Sequence, residues 1–405
     1  MPTLAGVLLH ALAETDVLID AFIAIGDLPV AQGALEHPNI KAVTEVIAWH
    51  GAPRMLKWPL ARLLSGQRAQ AQTQSRLVAS LVRRHLERPY DVVYQFSQFE
   101  LLSLRRHLSA LPPVIVHPET HAAGELRWLI REMRLAHRSG SHGSWVAATA
   151  MLLSRSVLQR RDAGRVAGII APSRVFADHL RRDYGIASQR LHVVPNCIDL
   201  TQFSAPERRV RTGPVRILFV SRMSVRKGVD MIVALSHRLA DLAGQVEIQA
   251  VGSESMWSDY RPLLSGLHPA VARYRAHILP IDLARLYSEA DLLIQPSLFE
   301  PFGLTVAEAL ASGIPVVASD EVGACEGIDP RCCTVFPAGN LDGFEAAVRA
   351  AVLRSRSTRA TDISSLARGE AERLFSPGPV AKRLREVLEQ ASRNERTTHS
   401  PSCPG

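Results

Sequence analysis

Residues Leu292–Ala318 read LLIQPSLFEPFGLTVAEALASGIPVVA, and the fold can be worked out from this stretch. An apolar run ends at Gln295, and a turn containing Pro, Ser and Gly follows it. A helix is predicted over Leu304–Ser312, with Gly313 as its end and Pro315 at the start of the next strand. A strand, a loop, a helix and a second strand in this order are typical of a parallel α/β sheet.

The same alternation of short apolar runs and longer amphipathic segments continues along the chain. Predicted strands are Val17–Ile25, Asp91–Tyr94, Val114–His117, Gly168–Ala171, Leu191–Val194, Val215–Ser221, Val246–Val251, Leu292–Gln295, Pro315–Ser319 and Cys332–Phe336. Predicted helices include Leu77–Leu86, Val175–Tyr184, Val229–Leu242 and Phe344–Leu353. This order indicates mostly parallel sheets with helices on both faces.

A polar, charged segment, Thr201–Thr212, interrupts the alternation, which restarts beyond it. We therefore predict an α/β protein of two tandem doubly wound, Rossmann-like domains that face a cleft. The N-terminal domain is placed at 1–207 and the C-terminal domain at 208–375. A terminal helix at 376–392 is expected to pack back toward the N-terminal domain, and 393–405 is expected to be a disordered tail.

Composition excludes several classes of protein. The 405 residues (44.4 kDa) are 47% hydrophobic and 21% charged, so the chain can bury a core and is not globally disordered. The formal net charge of +8 favours anionic partners. Nucleic acid is not expected as a partner, because aromatic residues make up only 5% of the chain and no recognised binding motif accompanies the charge.

The cysteines and apolar runs bear on the compartment. Five cysteines lack the spacing of a structural zinc site, which indicates reduced thiols. No run approaches the ~18 to 20 apolar residues of a membrane span. The first apolar run contains Asp20 and has no basic leader, so a signal peptide is not expected. These features predict a cytoplasmic protein.

The start of the predicted helix at Leu304 is a candidate anion site. The backbone amides of Gly303, Leu304 and Thr305 would be free donors at the positive end of the helix, which suits a phosphate. Glu300 lies before this point and Glu308 one turn into the helix. A carboxylate beside a phosphate site is best explained by a sugar diol, such as a ribose. The alternative is a solvated Glu300 and a Glu308 that only stabilises the helix.

A second candidate is the stretch Val215–Asp230, VRILFVSRMSVRKGVD. A buried strand is followed by a loop that presents Arg222, Arg226 and Lys227. Cations at the carboxyl end of a strand lie where a ligand of such a sheet binds, and paired cations suit a diphosphate. A solvated basic loop is the alternative.

The segments SRMSVRKGVD and LYSEADLLIQPSLFEPFGLTVAEALASGIPVVAS resemble the nucleotide-sugar-binding domain of retaining glycosyltransferases of the GT-B architecture, in the large family 4 group. The resemblance covers roughly Val194–Leu353. It implies that Arg222 and Lys227 hold the donor diphosphate. It also implies that the Gly303–Thr305 amides meet the phosphate and that Glu308 binds the donor ribose.

The resemblance of the second half also places Glu300 near the transferred sugar. More loosely, the resemblance extends to the first half. In the segment VIVHPETHAAGELRW, it places His117 in the cleft beside the sugar and the leaving phosphate, with His121 as the reserve candidate. The alternative for either histidine is a structural role. Asn196 is interpreted as a turn former.

Three departures from the family pattern matter, and one of them is that the segment Val251-Gly252-Ser253-Glu254 varies the usual glycine turn after a strand of the second domain. The chain opens on a helix-like segment that runs into the second strand of the pattern, so the N-terminal domain is expected to lack its first strand and glycine-rich loop. Pro280 stands where a glycine is common, near the usual site of base recognition, and the donor is therefore left as a UDP-sugar or a GDP-sugar.

The predicted function is transfer of a hexose-like sugar from a nucleoside diphosphate-sugar to a lipid, glycan or small-molecule acceptor, with retention and without a metal or other cofactor. The catalytic candidates are His117, Glu300, Arg222 and Lys227. A nucleotide-sugar epimerase or phosphorylase on the same fold is one alternative. An inactive protein that binds a sugar nucleotide or a membrane surface is another, favoured by the missing loop. The basic segment Arg54–Arg62 is either a peripheral contact with the inner membrane face or a solvated surface.

Overall fold

The computed structural model describes residues 4–25, 36–46, 59–138, 142–203, 213–253, 259–276, 280–357 and 360–398. Its strands are β1 Ile19–Ile25, β2 Ile40–Val46, β3 Val93–Phe96, β4 Val114–His117, β5 Gly168–Ala171, β6 Leu191–Val193, β7 Val215–Val220, β8 Val246–Val251, β9 Ala272–Arg275, β10 Leu292–Gln295, β11 Val316–Ser319 and β12 Cys333–Phe336. Its helices are α1 Leu4–Ala13, α2 Pro59–Glu87, α3 Ala122–Arg131, α4 Met133–Arg138, α5 His142–Ala163, α6 Arg174–Tyr184, α7 Val229–Arg238, α8 Arg261–Leu264, α9 Pro280–Glu289, α10 Leu304–Ala311, α11 Leu341–Ser355, α12 Ala360–Phe375 and α13 Pro377–Thr398.

The strands form two main parallel sheets, as predicted for an α/β protein with two Rossmann-like domains. The first has the order β3-β4-β5-β6 and the second the order β12-β11-β10-β7-β8-β9. The first two strands pair with each other in a separate parallel ladder. The chain enters that ladder directly from α1, which is the helix-to-strand opening that the sequence predicted.

Two strands, β2 and β9, were not predicted from the sequence. The second of these reads ARYR and lies at the edge of the second sheet, where Arg273 and Arg275 are exposed and Ala272 is buried. Charged side chains are common on edge strands because they discourage pairing with other chains. An edge strand therefore lacks the apolar run by which the buried strands were recognised.

Each face of the second sheet is covered by its own apolar cluster. Along β7, Leu218 packs into one cluster, and its neighbours Ile217 and Phe219 pack into the other. This follows from the alternation of side chains between the two faces of a strand. Helix α10 covers the first face, and α11 covers the second through Phe344.

The order of the second sheet fixes where a ligand binds. From β7 the chain builds outward through β8 and β9, and it then returns to place β10 on the other side of β7. The crevice between β7 and β10, at their carboxyl ends, is the switch point where ligands of doubly wound sheets bind.

The last helix returns to the first domain. Leu384 and Leu388 of α13 pack with Leu8, Ile115 and Ile170 in one apolar cluster. This helix continues to Thr398, so the prediction of a disordered tail from position 393 is wrong for its first residues. The packed face of α13 is seen as far as Ala391, and the helical backbone continues from there into the polar residues.

The expectations about membrane-spanning segments and about the cysteines can be compared with the part of the chain that the structure describes. Within the described residues, no helix is both long enough and apolar enough to cross a membrane. The cysteines found there, namely Cys197, Cys325, Cys332 and Cys333, are buried and form no disulfide. Most of the basic segment 54–62 and of the seam 201–212 lies outside the described residues.

Candidate functional site

The loop after β10 leads into α10 through a glycine whose backbone is left-handed. Gly303 has φ 103°, and a Cβ at this position would lie 2.9 Å from Val322. A glycine is required there by both the dihedral angle and the lack of space. Helix α10 then begins at Leu304, and the amides of Leu304 and Thr305 have no acceptor within the helix. They therefore form a positive terminus at the switch point.

Glu308 lies one turn into α10 and is oriented by a neighbouring helix. The hydroxyl of Tyr287 in α9 donates to Oε2 of Glu308 at 2.7 Å, and Tyr287 is fully buried. Burial raises the pKa of Glu308, and the hydrogen bond from Tyr287 opposes this effect. One carboxylate oxygen is thus fixed by the protein, which orients the group for a hydrogen-bonding ligand.

The basic loop after β7 packs directly on the loop after β10. Gly228 has φ 76°, and a Cβ there would lie 2.1 Å from the carbonyl oxygen of Pro296. The amide of Leu298 donates to the carbonyl oxygen of Arg226 at 2.7 Å. The two loops that carry the predicted donor-binding residues therefore form one unit.

Within this unit, the ammonium group of Lys227 contacts Oε2 of Glu300. The side chains are 14% and 12% exposed, respectively. Burial lowers the pKa of Lys227 and the nearby positive charges of Arg226 and Arg222 add to the effect, whereas the carboxylate of Glu125 opposes it. Arg222 itself is exposed. The structure thus brings Lys227 and Glu300 into contact and leaves Arg222 in solvent nearby.

His117 lies at the carboxyl end of β4 and is fully buried. Its Nδ1 forms a hydrogen bond with the hydroxyl of Tyr94 at 2.6 Å, and Phe96 packs edge-on against the ring. Burial lowers the pKa of His117 to about 3, so the ring is neutral at ordinary pH. Among the described residues, its Nε2 has no hydrogen-bond partner.

The half-buried Glu119 and the buried Asn196 form a pair that sequence reasoning missed. The amide of Asn196 donates to Oε2 of Glu119 at 3.0 Å. Burial raises the pKa of Glu119 to about 7. Oε1 of Glu119 and Oδ1 of Asn196 have no partner within the described part of the chain. The signal for Glu119 was its place two residues after His117, whereas nothing in the sequence predicts the contact with Asn196.

His121, the reserve candidate, belongs to a different environment. Its Nε2 lies 2.6 Å from Oδ2 of Asp183, and Oδ1 of the same carboxylate accepts a hydrogen bond from Arg127. The ring of Phe299, a residue of the second domain, packs against it with the ring centroids 5.4 Å apart. Burial lowers the pKa of His121. The two histidines therefore have separate surroundings: His117 ends a strand, and His121 lies in a domain contact.

Comparison with known proteins agrees with this geometry. The model of the family described as Glycosyltransferase Family 4 matches residues 61–202, and that of Glycosyl transferases group 1 matches residues 214–353. A glycogen synthase of Mycobacterium tuberculosis is 30% identical over 236 residues, which are 55% of this chain and 56% of that protein. A D-inositol 3-phosphate glycosyltransferase of Xylanimonas cellulosilytica is 33% identical over 51% of this chain and 55% of that protein. The chain thus spans about half the length of these curated relatives.

Solved structures give the likeness of the whole fold. A sucrose-phosphate synthase from Thermosynechococcus elongatus superposes with a TM-score of 0.67 at 18% identity, over 96% of this chain and 92% of that one. The Anabaena protein HepE in complex with UDP superposes with a TM-score of 0.60 at 17% identity, over 96% of this chain and 97% of that one. At such identities the likeness establishes the fold alone. With the two family models and the geometry of the β7–β10 crevice, the chain belongs to the group 1, or family 4, glycosyltransferases, which have the GT-B fold.

Proposed function

We propose that the chain transfers a hexose-like sugar from a nucleoside diphosphate-sugar to a hydroxyl group of an acceptor, with retention of configuration. The observation that carries the proposal is the convergence of Lys227, Glu300, the amino end of α10 and Glu308 at the switch point of the second sheet. Cations, a helix terminus and an oriented carboxylate are the chemical groups that a nucleoside diphosphate requires.

The first part of the proposal concerns the leaving group. As the bond between the sugar and the diphosphate breaks, negative charge grows on the phosphate oxygens. Lys227, Arg222 and the amides of Gly303, Leu304 and Thr305 would stabilise that charge. The amides need no reorganisation because the helix already fixes them, and Lys227 exchanges part of its contact with Glu300 for the phosphate.

The second part concerns the nucleoside. The carboxylate of Glu308, held by Tyr287, is suited to accept hydrogen bonds from the two hydroxyl groups of a ribose. UDP is the first nucleotide to test because HepE, which shares the fold, was solved with UDP and with UDP-glucose. GDP is the second.

The third part concerns the transfer itself. The bond from the anomeric carbon to the phosphate oxygen breaks, a bond to the acceptor oxygen forms, and the acceptor proton passes to the departing phosphate. The sugar would lie between Glu300 and the neutral ring of His117. His117 would donate or accept a hydrogen bond without carrying charge. The acceptor is a hydroxyl-bearing lipid, glycan or small molecule.

We also propose that the enzyme works at the inner face of the membrane as a peripheral, cytoplasmic protein. The support is a basic and apolar surface on α3 and α4, where Ile130 is 51% and Met133 48% exposed. Arg131, Arg134 and Arg138 are exposed on the same two helices. Anionic lipid attracts such arginines, and the apolar side chains can enter the interface.

A binding screen tests the proposal. Calorimetry against UDP, GDP, ADP and their sugar conjugates should give micromolar binding of one nucleotide, lost in Glu308→Ala and Lys227→Ala. Release of free nucleoside diphosphate that depends on an added acceptor then separates a transferase from an epimerase or a phosphorylase. A folded protein that binds none of these ligands would contradict the proposal.

A further inference from the structure

The ring of Phe299, a residue of the second domain, is buried in the core of the first domain. It is fully buried among the residues of that apolar cluster. Its ring centroid lies 5.4 Å from that of His121 and 5.1 Å from that of His179. On another side is Gly124 of α3, where a Cβ would come within 2.5 Å of the Phe299 ring. The pocket is therefore shaped around this side chain, with a glycine where any larger residue would collide.

The backbone of Phe299 is joined to the basic loop. The amides of Leu298 and Phe299 donate to the carbonyl oxygen of Arg226 at 2.7 and 3.3 Å. In return, Nη1 of Arg226 donates to the carbonyl oxygen of Phe299 at 3.4 Å. The next residues along the two loops are Glu300 and Lys227, which contact each other. One residue thus links the pocket in the first domain to both charged groups of the site.

Polar contacts beside the pocket hold the same loop against the first domain. The hydroxyl of Ser173 donates to the carbonyl oxygen of Pro301 at 2.6 Å. Nε2 of His179 lies 2.6 Å from the carboxylate of Glu321. The carboxylate of Glu326 accepts the first two amides of α6 at 3.0 and 2.7 Å. The loop at Phe299 is therefore fixed by the first domain through both its apolar ring and its polar neighbours.

We propose that Phe299 is a positioning residue that couples the docking of the two domains to the placement of Lys227 and Glu300. This inference rests on the proposed function. With the domains docked, the ring occupies its pocket and the hydrogen bonds to Arg226 keep the two loops in register. With the domains apart, the ring loses the pocket and the loops lose that constraint. The charged pair is then assembled for reaction only in the docked state.

Two variants test the coupling from its two sides. Phe299→Leu shortens the side chain, and Gly124→Ala crowds the pocket from the first domain while favouring helix α3. Both should lower kcat about tenfold or more, because small displacements of reacting groups are costly. Donor affinity should change less, since Glu308 and the α10 amides are untouched. The control is Phe344→Leu, which alters a buried ring stacked on Phe336 in the far core of the second domain.

A second readout needs no activity. Amide hydrogen exchange at Leu298 and Phe299, measured on the nucleotide-free protein, should accelerate in Phe299→Leu and in Gly124→Ala but not in the control. If the wild-type protein neither binds nucleotide nor transfers sugar, the proposed function fails while this measurement still decides the coupling. Unchanged exchange in both variants, or a kcat loss in Phe344→Leu equal to theirs, would overturn the inference.

Discussion

The ammonium group of Lys227 contacts the carboxylate of Glu300, and the two residues come from loops that follow neighbouring strands of the second sheet. Both side chains are mostly buried, so each charge depends on the other for compensation. In the proposed function, the donor diphosphate competes with Glu300 for Lys227, while the helix terminus at Leu304 takes the rest of the phosphate charge.

Removing Lys227 tests this arrangement. Lys227→Ala should weaken nucleoside diphosphate binding by about tenfold or more, because a hydrogen bond to a charged group contributes about 1.5–3 kcal/mol. Lys227→Arg keeps the charge and should recover part of the loss. Calorimetric titration measures both. Lys382→Ala on the exposed side of α13 is the control and should bind as the wild type does. Full binding by Lys227→Ala would exclude the lysine from the phosphate site.

The pair of Tyr287 and Glu308 predicts a pH dependence of nucleotide binding. Burial raises the pKa of Glu308, and the donated hydrogen bond from Tyr287 lowers it. Protonation removes the acceptor for a ribose, so affinity should fall as the pH drops through this raised pKa. In Tyr287→Phe the pKa rises further, and the fall should begin at a higher pH. Calorimetry over a pH series measures this shift, with Tyr90→Phe in the first domain as the control. Identical profiles of affinity against pH in the wild type and in Tyr287→Phe would show that Glu308 does not bind the nucleotide.

The part of the site predicted from the sequence is the part built from contiguous stretches. The buried apolar runs of β7 and β10 are visible in the sequence. The features that follow these strands, namely Lys227, Gly303 and the amino end of α10, could therefore be placed at the carboxyl ends of the strands. Glu308 was predicted as well, but its partner Tyr287 lies 21 residues earlier on another helix. No local pattern predicts that contact.

Contacts between domains could not be predicted for the same reason. Phe299 lies within the recognised segment, yet its pocket is formed by α3 and α6 of the other domain. Glu119 and Asn196 are 77 positions apart and meet only when the crossover after β6 returns past the end of β4. A sequence pattern reports which residues share one strand or helix, whereas these pairs depend on how the whole chain packs.

The burial of His117 predicts a loss of stability in acid. In the unfolded chain its pKa is near 6.5, and in the folded protein burial lowers it to about 3. The unfolded state therefore binds the proton first, and the free energy of unfolding should decrease as the pH falls between these two values. His117→Gln removes this titration and should flatten part of the decline, as measured by urea unfolding over a pH series.

The exposed His237 provides the control for that experiment. His237→Gln makes the same substitution at the protein surface, and its stability profile is compared with that of His117→Gln. Equal slopes in His117→Gln and the wild type would mean that the buried ring is not the group that titrates. The pH dependence of the transfer rate should likewise contain no step near neutral pH from His117.

The contact between Gly228 and Pro296 predicts that a single methyl group disrupts the site. Gly228→Ala places a Cβ 2.1 Å from the Pro296 carbonyl oxygen and forces an alanine to adopt a φ of 76°. Strain of this kind costs about 1–3 kcal/mol, and the basic loop must move away from the loop that carries Glu300. We expect lower thermal stability together with a loss of nucleotide binding larger than the stability change explains.

The matched control is Gly369→Ala on the exposed side of α12, where a Cβ meets nothing within 4 Å. This change should raise stability by about 0.5–1 kcal/mol and leave binding intact. If Gly228→Ala bound nucleotide as tightly as Gly369→Ala, the close packing of the two loops would have no role in holding the donor.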